Sequence, residues 1–92
     1  MIDKIEIAIV NAASRALKIH EKASHLPTED IIKKIMPFLE RDEMSKGAKI
    51  AAIAAVNGVV KIKRHNPRLG DREVIEKFLK ENKNLFEEFE ES

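Results

Sequence analysis

The sequence predicts an all-α fold, and three observations carry that prediction. Residues 46–65, KGAKIAAIAAVNGVVKIKRH, are apolar around most of their circumference and rich in alanine, the pattern of a helix that neighbours must enclose. Ile2, Ile5, Ile9, Ala12, Ala16, Ile19, Ala23 and Leu26 follow an unbroken alternation of three and four, the seam of a helix laid lengthwise on another. Pro27-Thr28 and Asn66-Pro67 punctuate the chain where helices should stop and restart. We expect a compact up-and-down bundle of four main helices, at about 3–25, 28–40, 43–65 and 71–82, with a short C-terminal helical segment at 84–90. A length of 92 residues suits one domain, 1–92.

In the first helix, Asp3 and Glu6 have the spacing of a capping box. Ile2 and Ile7 stand where a hydrophobic staple closes over it. Val10, Ala13 and Leu17 broaden the seam into a core-facing stripe. The run KIEIAIV also alternates at period two, as a strand would, but the cap and the long seam favour helix. His20, Lys22 and His25 suit a helix C-terminus, and Pro27 stops it.

Thr28 is the expected N-cap of the second helix, with Glu29 and Asp30 in its first turn. Glu29–Lys33 and Asp30–Lys34 are favourable i,i+4 pairs, and Ile31, Ile32, Ile35, Met36 and Leu39 make the inner face. Pro37 removes a backbone donor and should kink or end the helix near Met36. Asp42 or Ser45 caps the third helix. Gly58 offers two readings. It either ends that helix as a left-handed cap, leaving VVKIKRH extended, or lies inside a helix that continues to about Arg64 and lets a neighbour come close. The alanine-rich flanks favour the second. Asp71 caps the fourth helix, Glu73–Lys77 and Glu76–Lys80 pair on its wet side, and Val74, Ile75, Phe78 and Leu79 face inward. Asn82-Lys83-Asn84 breaks it, and Leu85, Phe86 and Phe89 should dock ahead of the acidic end EEFEES.

Composition excludes several classes. Without cysteine there is no disulfide framework and no thiolate metal site. A net charge of +1 excludes a strongly basic protein. Abundant Lys, Glu and Ile resemble a thermophilic composition. The N-terminus has no basic leader before an apolar run, and the central apolar stretch is broken by Lys49 and Asn57, too short to span a bilayer. A cytoplasmic protein is expected. A chain of this size buries about 60–65% of its unfolded surface, so a partner would add to a small core.

Four features are candidates for function. The basic run 61–68 holds Lys61, Lys63, Arg64, His65 and Arg68, which could neutralise phosphates of a nucleic acid or bind another anion. The acidic stretch 87–91, in this chain or a second copy, is one such anion. The same cations also suit a helix C-terminus with no ligand at all. HEKASH, residues 20–25, places His20 and His25 five apart, about 140° around a helix, which does not suit a shared metal. Arg15 and His20, with four residues between them, have a spacing that resembles the R-x4-H motif of the HEPN ribonucleases, which are helical and dimeric. The resemblance covers two residues and implies a ribonuclease site at Arg15 and His20. Ala16 stands where that motif has a polar residue. Lastly, Ala12 and Ala16 on the first helix and Gly47, Ala51, Ala55 and Gly58 on the third form small-residue surfaces that let helices approach closely, within one chain or between two.

No glycine-rich phosphate loop and no recognisable nucleophile set is present. The reading is therefore a non-catalytic helical interaction module, homodimeric through the seam of Ile2, Ile5, Ile9, Ala12, Ala16 and Ile19 or docking another protein. The alternative is a nucleic-acid-binding protein using 61–68. No catalytic residue, metal, cofactor, small-molecule substrate or membrane partner is assigned.

Overall fold

The computed structural model describes residues 4–41 and 45–82, with side chains from Glu6 onward. It contains α1 (Lys4–Lys22), α2 (Thr28–Arg41), α3 (Lys46–His65) and α4 (Asp71–Glu81), and no described residue lies in a strand. The period-two reading of KIEIAIV gives way to helix. The expected capping box and staple depend on Ile2 and Asp3, which lie outside the described residues, as do Asp42 and the segment 84–90.

Helix ends depart from the expectations in instructive ways. α1 stops at Lys22 rather than near residue 25. Leu26 precedes Pro27, which disfavours helical backbone there, and the chain turns with Leu26 N–H donating to the Ala23 carbonyl at 3.1 Å. Thr28 is the first residue of α2 rather than its cap. The Pro27 carbonyl accepts from Asp30 N–H at 3.0 Å. α2 continues through Pro37 to Arg41 instead of breaking at Met36. Contacts beyond the proline hold that last turn: Leu39 is buried, and the Arg15 guanidinium lies 4.1 Å from the centre of the Phe38 ring.

Ser45 caps α3, its Oγ accepting from Ala48 N–H at 3.2 Å. The helix runs through Gly58 to His65, which resolves the alternative left by the sequence, and Asn66 N–H donates to the Ile62 carbonyl at 2.8 Å. Gly70, not Asp71, is the cap residue of α4, and it makes no side-chain cap bond. Asp71 instead lies 4.0 Å from Lys63 Nζ. On the wet face of α4, Glu76 pairs with Arg72 at 3.1 Å rather than with Lys80.

Arg64, at the end of α3, reaches the loop that follows α1. The two helices therefore end together and run parallel, with α2 leading back from the end of α1 to the start of α3. α4 starts beside Lys63 and brings Phe78 onto Gly58, so it runs antiparallel to α3. This is the up-and-down topology. Ala12, Ala13 and Ala16 on α1 and Ala51, Ala52 and Ala55 on α3 are all buried, and these two helices make the most extensive packing in the bundle. Ile9, Leu17, Ile31, Ile35, Leu39, Val56, Val59, Val60, Val74 and Phe78 complete the core. Burying each such side chain is worth about 1.5–3 kcal/mol.

α3 is not enclosed on every side. Ile50 is 48% exposed, Asn57 and Lys61 face solvent, and Ile53 and Ala54 are half-buried. Three neighbouring helices leave one strip of its circumference open.

Candidate functional site

The seam expected to pair with a second copy is used inside the chain. Ile9, Ala12 and Ala16 are buried, and Ile19 is half-buried against the core. Ile2 lies outside the described residues, and only the backbone of Ile5 is described. Over its described positions the alternation packs within the bundle, most extensively on α3.

The basic run divides into two groups. Arg64 Nη2 donates to the Leu26 carbonyl at 2.6 Å, and Nη1 donates to Thr28 Oγ1 at 3.3 Å. Lys63 donates to the Leu69 carbonyl and lies near Asp71. These two cations fasten the α1–α2 and α3–α4 loops to the end of α3. Lys61, His65 and Arg68 remain exposed.

Lys61 and His65 also border a groove of about 450 Å³ between α3 and α4. Its floor is apolar: Ala54, Gly58 and Ile62 from α3, and Phe78 from α4. Helical spacing produces that floor, since residues four apart share a face. On the rim, Lys61 and His65 of α3 face Lys77 of α4, with Asn66 at one end and Glu81 and Asn82 at the other. Ile50, one turn before Ala54, extends the apolar strip beyond the groove. Lys77 is the functional candidate that sequence reasoning missed, because its i,i+4 relation to Glu73 explained it fully as a surface residue. Gly58 under Phe78 was the available signal. A glycine inside a helix costs about 1 kcal/mol relative to alanine, which calls for a neighbour at close range.

Other candidates are not assembled. Arg15 stacks on Phe38, whereas His20 turns towards the end of α3, so the pair with ribonuclease-like spacing has different neighbours. Burial, then the charges of Arg64 and Lys63, hold the His20 imidazole below its ordinary value of 6.5, and its Nδ1 is buried without a hydrogen-bond partner. His25 lies in the turn after α1 and is exposed. Among the described residues, no three histidine or acidic side chains cluster as a metal site. No described helix is long and apolar enough to cross a membrane. A smaller concavity on α1, at Glu6, Ile7, Val10 and Asn11, is mostly apolar, and none of these described residues is a cation.

Comparison with protein-family models, with curated proteins and with solved structures finds no match.

Proposed function

We propose that this protein is a non-catalytic interaction module that docks an acidic, phenylalanine-bearing protein segment in the groove between α3 and α4. The observation that carries this reading is the joining of an apolar floor to Lys61, Lys77 and His65 along one groove. Apolar contact would supply affinity, and the lysines would select acidic sequences and orient them. Nucleic-acid binding is the weaker reading. Lys63 and Arg64 are engaged with loop carbonyls, which leaves Lys61, His65 and Arg68, and the one aromatic ring beside them among the described residues, Phe78, is buried in the core rather than open for base stacking.

The test is a nuclear magnetic resonance titration of the full chain with a synthetic peptide that alternates Phe and Glu. Amide signals of Ala54, Gly58, Lys61 and Lys77 should move together. Lys61→Glu with Lys77→Glu should weaken binding by roughly tenfold or more, and added salt should weaken the parent complex. Docking fails if the peptide moves none of these signals in either the parent chain or a full-length chain carrying Phe86→Ser and Phe89→Ser, whose own apolar residues cannot compete.

A further inference from the structure

We propose that the resident ligand of this groove is the chain's own acidic C-terminal segment, residues 83–92, laid back along α3 of the same molecule. The proposal rests on the docking reading and names the occupant.

Asn82 is on the rim of the groove, and α4 ends there. Its backbone N–H and its Nδ2 both donate to the Phe78 carbonyl, at 3.0 and 2.9 Å, and its φ of −117° and ψ of 24° have left the helix. The ten residues that follow thus begin at the groove. They need to travel from the level of Ala54 to that of His65, about 16 Å along α3. Ten residues reach about 33 Å when extended and about 15 Å as a helix, so length is no obstacle. The reversal that this path needs would fall on Asn82-Lys83-Asn84, where the two asparagines are of a type that favours turns.

The order of residues along the segment matches the order of surfaces along the groove. Leu85 and Phe86 come first and would meet Ala54, Gly58 and Phe78. Glu87, Glu88, Glu90 and Glu91 follow and would meet Lys61, Lys77 and His65. Glu81, the one acid among the described residues of the rim, lies where Lys83, Asn84 and Leu85 would pass, none of which is acidic. A second copy could offer the same segment. A segment tethered a few residues away, however, acts at millimolar effective concentration, which favours the same molecule.

The chain has no cysteine, so Ser92→Cys places a single nitroxide at the end of the segment without removing an acid. In the full-length labelled chain, the spin label should bleach the amide signals of Lys61, Ile62 and His65. It should do so equally when labelled chains are diluted into unlabelled chains that carry no heavy isotope. In a parallel titration, Phe86→Ser with Phe89→Ser should raise the apparent affinity for the Phe/Glu peptide by roughly tenfold, because the competitor has left. Absence of bleaching at these residues overturns the proposal. So does bleaching seen only between different molecules, which assigns the groove to a second copy. If bleaching is absent while the peptide still moves Ala54 and Lys61, docking stands and the self-ligand does not.

Discussion

The ring of Phe78 fills the space that a side chain at Gly58 would need. This contact sets how closely α4 approaches α3 and forms the floor of the groove. Gly58→Ala should therefore destabilise the fold by about 1–3 kcal/mol, as overpacking does. That outcome opposes helix propensity, which favours alanine by about 1 kcal/mol. Urea unfolding of the two chains measures it. Phe78→Leu should also destabilise, by opening a cavity, yet the double variant should be more stable than the sum of the two losses implies. Simple additivity would mean that the residues do not meet.

Arg64 binds the Leu26 carbonyl in the loop that follows α1 and the hydroxyl of Thr28, the first residue of α2. The guanidinium fork reaches both at once, which a lysine ammonium cannot reproduce. Because Arg64 is exposed, solvent weakens these bonds, and Arg64→Ala should lower stability by only about 1 kcal/mol. The local effect should be larger. Hydrogen exchange at the amides of Ala23 and Leu26 should quicken in Arg64→Ala and in Arg64→Lys, while α3 amides near Val56 stay protected. Unchanged exchange in that loop would show that Arg64 does not hold it.

Much of this architecture is legible in the sequence, for reasons tied to particular residues. Ala51, Ala52 and Ala55 point to a helix in close contact, and the alternation through Ile9, Ala12 and Ala16 points to its neighbour. What the alternation does not encode is whether that neighbour belongs to the same chain, because internal and intermolecular seams look alike; here it is α3. The run of cations at 61–68 gives no hint that Lys63 and Arg64 bind carbonyls 6 and 38 residues away in sequence. The groove is hidden for the same reason. Lys77 joins Lys61 only through the way α4 crosses α3, and no local pattern records a crossing.

Pro37 lies inside α2 with helix continuing to Arg41. It supplies no N–H for the Lys33 carbonyl, and a proline in a helix interior is about 3 kcal/mol less favourable than alanine. The side chain is exposed, so little packing would be lost on removing it. Pro37→Ala should therefore stabilise the protein by about 1–3 kcal/mol, read as a higher thermal midpoint. A lowered midpoint would mean that the position of Leu39 and Phe38 depends on a bend the proline imposes.

His20 links stability to pH. Burial, reinforced by Arg64 and Lys63, keeps its pKa below 6.5 in the folded chain. The neutral imidazole is thus the form the fold prefers, and the unfolded chain binds more protons across this window. Its contribution is complete above the ordinary histidine value. That contribution is lost as pH falls through the lowered value, so acid should destabilise the protein. His20→Gln cannot titrate. Its unfolding midpoint should vary less between about pH 7 and pH 5 than that of the parent. His25 and His65 are present in both chains and cancel in the difference, and a uniform offset between the chains does not affect the slopes. Parallel curves would show that the imidazole is protonated as easily in the fold as outside it, and that its buried Nδ1 has a route to water.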